Sequence, residues 1–311
     1  MQFFKLHDAD ASLKAPMIRE VRGACLNFNG NNLDEFGIRS WKNQFESAIQ
    51  CASRNFSFFP EPIDFFHVND PDLPGAVRET PFIVYSYPTK YCEVEPIDPK
   101  EAARTFSITS MVMKIGKELN NIVRSLHGDQ HNQDNQARLV LRQCPLRDLR
   151  RLQTTNALFI GEFFSLASQG NSGFNPATPF FSLKREYSAP ECFSISGELS
   201  EATDMYVIAK TILMNFGVTF DVNPFPDPTV IDRILQAMQK RYKFKMPDHM
   251  IRYFKVSLNS SPANRFKNMG EAYGHLTNKD YIKPPEPGVS PSRPQNPPPQ
   301  QKPVSRKKGR F

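Results

Sequence analysis

Hydrophobic side chains change their period partway along this chain, and that change limits the architectures open to it. Before residue 95 the apolar material comes in short runs rich in aromatic and β-branched residues. Residues 2–6 (QFFKL), 57–68 and 81–94 (PFIVYSYPTKYCEV) read as strands. Later the spacing lengthens. Residues 106–127 (FSITSMVMKIGKELNNIVRSLH) place apolar side chains at i, i+3/i+4 and i+7, which predicts an amphipathic helix. From Ser200 onward helices are predicted over 201–215, 228–241, 247–259 and 268–276. One further helix is expected early, over 15–27 (APMIREVRGACLN), with Pro16 near its first turn. Between these lie a polar, Asn-rich stretch at 28–55, a polar loop at 128–137 and a Gly/Ser/Asn/Pro-rich loop at 165–187. Residues 138–164 alternate short apolar runs with turns. A strand-bearing first part followed by a helical second part predicts an α+β protein of two lobes.

Composition sharpens this. The 311 residues are 39% hydrophobic and include 26 Phe, enough to bury a sizeable core and to exclude wholesale disorder. No run of 18 apolar residues occurs, so no transmembrane segment is expected. The first residues, MQFFKLHDAD, lack the basic and apolar regions of a secretory leader. Five scattered cysteines form no CxxC pair, which fits reduced thiols and a cytoplasmic location.

Charge is concentrated at one end. Residues 283–311 hold seven Lys/Arg against one acid, whereas the rest carries 32 basic and 31 acidic side chains. The basic balance therefore describes a tail and not a basic domain surface. Nine of the 27 prolines lie in the same segment, which has too few aliphatics for a core, so a disordered Pro-rich tail is expected there. Its basic stretch, residues 302–310, suits nucleic acid, an anionic surface or an acidic partner.

Four segments in a fixed order carry the functional signal. They are Tyr187-Ser188-Ala189-Pro190-Glu191, Ser200-Glu201-Ala202-Thr203-Asp204 opening an apolar helix, Met246-Pro247 before a helix, and Ser261-Pro262-Ala263-Asn264-Arg265-Phe266 before a last helix. Together they resemble the C-lobe of the eukaryotic-type protein kinase superfamily. The resemblance implies that Glu191 closes the activation segment as the Glu of Ala-Pro-Glu, paired with Arg265. It implies that Asp204, at the start of the central buried helix, fastens the catalytic loop through backbone N–H groups. A buried carboxylate needs a partner, and bidentate arginine is the best one.

Upstream, helix 106–127 is similar to the long helix before a kinase catalytic loop, and Phe82–Tyr87 to the strand and hinge between the lobes. The resemblance makes Lys5 the phosphate-holding lysine and Glu20, on the first helix, its ion-pair partner. The implied fold is a two-lobed protein-kinase-like α+β fold with a truncated β-rich N-lobe (1–95, insertion 28–55), a helical C-lobe (96–282) and the tail (283–311).

The chemistry of the family is thinner here. Only four residues precede Lys5, where a glycine-rich phosphate loop belongs. The nearest match to His-Arg-Asp is Leu146-Arg147-Asp148, with Asp148 as the base and Gln153 at the place of the Asn five residues on. His131 with Asp134 is a rival, one residue too long in spacing. The nearest match to Asp-Phe-Gly is Glu162-Phe163-Phe164, with Glu162 as the oxygen ligand of Mg²⁺. Misplacing reacting groups by about 1 Å costs on the order of 10²-fold. The expectation is a pseudokinase or strongly impaired kinase that acts by protein binding. The alternatives are an active atypical Ser/Thr kinase using ATP and Mg²⁺ on a protein substrate, and an adaptor tethered by its tail.

Overall fold

The structure is a computed structural model describing residues 2–7, 18–23, 61–67, 81–87, 91–105, 107–127, 138–153, 155–160, 166–170, 183–194, 196–220 and 225–277. For the strands within residues 2–87 it describes the backbone alone. Contacts divide the chain into Met1–Tyr281 and Ile282–Phe311, and every described residue belongs to the first unit. The stretch 28–55, residues 171–182, His131, Asp134, Glu162 and the tail lie outside the described residues.

The first part is an antiparallel sheet of β1 (Gln2–His7), β2 (Ile18–Gly23), β3 (Glu61–His67) and β4 (Pro81–Tyr87), in the order β1-β2-β4-β3. The helix expected over 15–27 is corrected here: residues 18–23 are a strand. Ile18 and Val21 are β-branched, and β2 is flanked on both sides, by β1 and β4. Those ladders supply the backbone partners that a helix would have had to make internally, and such pairing is invisible in local propensity. A bulge at Pro62/Asp64 interrupts the β3–β4 register.

Next come β5 (Tyr91–Glu93), α1 (Pro99–Thr105) and α2 (Ile108–His127). Helix α1 was not expected, yet its start is written in Asp98-Pro99: the Asp98 carboxylate accepts the Lys100 N–H at 2.9 Å. Helix α2 buries one stripe, including Ile108, Val112, Ile115, Leu119, Ile122 and Leu126. Gly116 lies on that stripe because a Cβ there would come within 2.2 Å of Leu276 Cδ2.

Four short strands follow: β6 (Leu139–Leu141), β7 (Leu149–Leu152), β8 (Leu158–Ile160) and β9 (Leu166–Ser168). β7 and β8 form a hairpin beside β5, whereas β6 pairs with β9. Asn156 turns the hairpin in the left-handed region at φ 56°.

The helical part is α3 (Glu201–Asn215), α4 (Pro228–Tyr242), α5 (Asp248–Ser257) and α6 (Met269–Leu276). Their starts are capped as the sequence suggests. Ser200 Oγ accepts the Ala202 N–H, and the Ser200 N–H donates to Thr203 Oγ1. Asp227 caps α4 through the Val230 N–H, ahead of Pro228, and Asn268 caps α6 through the Glu271 N–H. In α3, every residue from Thr203 to Asn215 is buried. A helix buried all round is the axis of a core, and α2, β6, α5 and α6 pack about it.

Candidate functional site

Residues 142–148 loop between β6 and β7 and close with the tight turn Leu146–Asp148. Helix α3 grips this loop from below at two points. The Asp204 carboxylate accepts the Leu141 N–H at 2.7 Å. About two turns along, Thr211 Oγ1 lies 2.8 Å from the Cys144 carbonyl and 2.9 Å from the Val207 carbonyl. The loop's own side chains are buried: Arg142, Gln143, Cys144 and Asp148 are all inside. Burial lowers the Arg142 guanidinium to about 10 and pushes the Cys144 thiol well up.

His127, in the last turn of α2, completes the grip, with Nε2 2.8 Å from Asp204 Oδ2. Its Nδ1 lies 3.8 Å from Glu201 Oε1. Burial works against the charged imidazole, but the hydrogen bond and charge of Asp204 outweigh it, so His127 is raised above its ordinary value. Burial drives the Asp204 carboxyl upward, opposed by His127 and the Leu141 N–H.

The segment Leu183–Ala189 lies over the loop. Gln143 Oε1 accepts the Lys184 N–H at 2.9 Å, and Gln143 and Ser188 form an isolated antiparallel bridge. Tyr187 and Ser188 both donate N–H to the Lys184 carbonyl, at 2.9 and 3.1 Å. Beneath them Lys210 of α3 is fully buried, with Nζ 2.9 Å from the Arg185 carbonyl and 3.3 Å from the Ser188 carbonyl.

The segment ends in the turn Pro190–Phe193, which carries Glu191 inward. Arg265 meets it with two parallel bonds, Nη1 to Oε1 at 2.6 Å and Nη2 to Oε2 at 2.9 Å. Arg265 also donates to the carbonyls of Ala202 and Asn259, at 2.7 and 2.8 Å. Its guanidinium carbon stands 4.8 Å from the centre of the Tyr206 ring. Gly197 lets the chain close on this turn, since a Cβ there would come within 2.6 Å of the Glu191 carbonyl.

No protein-family model matches the sequence. No curated protein matches it either. Solved structures do. The kinase domain of Mycobacterium tuberculosis PknI aligns over 85% of this chain and 90% of its own, with a TM-score of 0.50 at 15% identity. A double-substitution variant of that domain aligns over 85% and 89%, with a TM-score of 0.50 at 16% identity. The chain has the protein-kinase fold.

Within that fold the candidate residues are distributed unevenly. Glu191, Arg265 and Asp204 occupy the buried frame just described. Asp148 is buried at the end of the loop, while its neighbour Arg147 is 62% exposed at the side chain, with Nε 3.7 Å from Asp148 Oδ1. Gln153 is not brought to Asp148: strand β7 intervenes and leaves Gln153 exposed in the turn of the β7–β8 hairpin. At about 3.3 Å per strand residue the two are roughly 16 Å apart, and Glu162, the residue expected to share a metal ion with Gln153, lies outside the described residues. Lys5 and Glu20 are brought together, but as directly opposed residues of the β1–β2 ladder, so the placement of Glu20 on a helix is corrected.

Four contributors escaped the sequence reading: His127 as a partner of Asp204, Gln143 under the segment, Thr211 on the loop carbonyl, and Lys210. Only Lys210 left a plain signal, as a lone cation inside the apolar run Met205–Leu213.

Proposed function

We propose that this kinase-fold chain acts by binding a protein partner and does not transfer phosphate. The observation that carries this is the Asp204–Leu141 bond. The family's aspartate fastens the start of the catalytic loop, so the His-Arg-Asp pattern falls on Leu141-Arg142-Gln143. In that register Asp148 stands five residues later, at the place of the metal-binding asparagine, and not at the place of the base. The base position holds a neutral amide, whose oxygen has no useful basicity and already accepts the Lys184 N–H. Phosphoryl transfer depends on positioning and charge, so the loss of a base position removes a central part.

Among the described residues no group of three or more His, Cys, Asp and Glu is placed to hold a metal ion. In the register proposed here Asp148 supplies a hard oxygen suited to Mg²⁺. The opposed pair Lys5 and Glu20 remains the candidate contact for ATP phosphates. The retained Asp148 carboxylate favours the second reading, an active atypical kinase. The basic stretch 302–310 adds a route to an anionic surface or nucleic acid, whose binding would fall steeply with salt.

The test is phosphate transfer from labelled ATP with Mg²⁺ to a generic protein substrate, using the full chain. The expected result is no transfer above background. Transfer abolished by Asp148→Ala would overturn the proposal and establish the active atypical kinase, with Asp148 needed as base or as metal ligand. Thermal unfolding with and without ATP and Mg²⁺ runs beside it, because a ligand bound only by the folded form raises the midpoint. A rise lost in Lys5→Ala would assign a nucleotide site without restoring catalysis.

A further inference from the structure

Lys210 is the least expected side chain in this core. It is fully buried on α3, and no ion pair to it occurs among the described residues. Its Nζ lies 5.2 Å from the centre of the Tyr206 ring, 5.0 Å from that of Phe220 and 5.7 Å from that of Phe225. Two carbonyls of the overlying segment, of Arg185 and Ser188, accept from it.

These contacts belong to a longer stack. Arg185 stands over Phe193 and Phe225, at 5.5 and 5.8 Å. Phe225 and Tyr206 flank Lys210, and Tyr206 also carries Arg265, which grips Glu191. Cations and rings thus alternate from the segment's surface down to the buried ion pair. The Lys210 amine ties the Arg185 and Ser188 carbonyls of that segment to α3.

We infer that Lys210 is a proton-sensitive latch, and that taking up a proton at its amine drives the segment Leu183–Ala189 off the catalytic loop. A neutral amine has two N–H donors, which match the two carbonyls. The ammonium form brings a third donor and a full charge, and beyond the two carbonyls the groups in contact with it are ring faces. Cation–π attraction returns part of the lost hydration, about 2 kcal/mol at a desolvated site. The hydration of an ammonium is larger than that.

Burial accordingly lowers the Lys210 amine from 10.5 to about 7, with Cys192 and Glu186 pulling weakly the other way. The charged and titratable groups around it are Arg185 and Glu186 on the segment, Cys192 and Glu191 in the Pro190–Phe193 turn, Tyr206 on α3, and Arg265 behind that ring. The sign follows from linkage. The latched state holds the proton more weakly than the released state does. Release therefore becomes easier as pH falls from the ordinary lysine value toward about 7, and levels off below it. The latch is independent of whether the site transfers phosphate.

The experiment is hydrogen exchange of the full chain, read as protection factors for the Tyr187 and Ser188 amides. Between about pH 7.5 and 8.5 the protection is expected to rise by up to about ten-fold. Lys210→Met should be flat over the same interval. His127 keeps its own titration in that variant, so a slope that survives in Lys210→Met would assign the effect elsewhere and overturn the latch. Flat protection in the unaltered chain would overturn it too. If Lys210→Met does not fold, the Nζ chemical shift of Lys210 in the unaltered chain decides. A midpoint near the ordinary lysine value refutes the latch, and one near neutrality supports it.

Discussion

Arg265→Met isolates the buried ion pair that closes the segment. The replacement keeps the length and apolar stem of the side chain and removes only the guanidinium. The Glu191 side chain is then 3% exposed with no cation opposite it. Leaving one partner of a buried pair uncompensated costs about 3–5 kcal/mol. The carbonyls of Ala202 and Asn259 lose donors at 2.7 and 2.8 Å as well, and the Tyr206 ring loses its cation. These contributions overlap, because one movement of the Pro190–Phe193 turn would rehydrate several groups together. The expected loss is about 4 kcal/mol, a large share of the roughly 5–15 kcal/mol that holds a domain folded.

Urea unfolding of the full chain, followed by far-ultraviolet circular dichroism, measures it. Glu191→Gln and the double variant complete a cycle. Gln keeps the acceptor but leaves the Arg265 charge unpaired, so Glu191→Gln alone should also be costly, by about 2–3 kcal/mol. With both charges gone the double variant should be less destabilised than the two single losses summed, by about 2 kcal/mol or more. A cost below about 1 kcal/mol for Arg265→Met, the range of exposed pairs, would refute the reasoning. It would mean that water reaches Glu191 in the folded protein and that the pair is not the closure of the segment.

Three further outcomes are expected. Gly116→Ala sets a methyl against Leu276 Cδ2, which is buried and must shift, so it should forfeit the roughly 1 kcal/mol that Ala gains over Gly inside a helix and not raise the unfolding midpoint, with Leu276→Val recovering part of it. The His127–Asp204 contact raises His127, so its stabilisation is full below the unfolded histidine value of 6.5 and is lost as pH rises through the higher folded value. Urea midpoints taken across that window should converge between the unaltered chain and His127→Gln as pH rises. Lys243 ends α4 in the left-handed region at φ 51°, so Lys243→Gly should stabilise by about 0.5–1 kcal/mol in thermal unfolding.

Much of the helical part was readable because its boundaries are local chemistry. Ser200 with Thr203, Asp227 with Pro228, and Asn268 each satisfy backbone N–H groups within a few residues, so the ends of α3, α4 and α6 are written beside them. Strand β2 was misread for the opposite reason. Its partners are β1, which ends ten residues before it, and β4, some sixty residues on, and nothing within Ile18–Gly23 announces either. Helix α1 lies between: Asp98-Pro99 is a fair start signal, but seven residues give too little periodicity to confirm it.

The candidate site shows a subtler limit. Leu146-Arg147-Asp148 looks like the catalytic triplet because two of its three letters match, and the match ignores where the loop is held. The Asp204 bond to Leu141 is a better ruler, since a buried carboxylate must find its donors and it finds one in the Leu141 N–H. In the register proposed from that bond the base position would fall five residues earlier, on Gln143 and not Asp148, with the Asp148 carboxylate at a metal-binding place. Lys210 obeys the same logic in reverse. A cation in the middle of an apolar helix makes poor sense as a surface residue, and in the fold it becomes the strut beneath the segment that covers Gln143. On the proposed reading, the residues that hold the loop and its cover surround a position occupied by an amide and not a base. On that reading such a frame is what a folded binding surface requires, whereas phosphate transfer would also require a base at residue 143. Placing a carboxylate there by Gln143→Asp alone should therefore fail to produce transfer, because the backbone bridge between residue 143 and Ser188 would still hold the segment over it; transfer in that variant would show that the frame is competent and that one residue separates binding from catalysis.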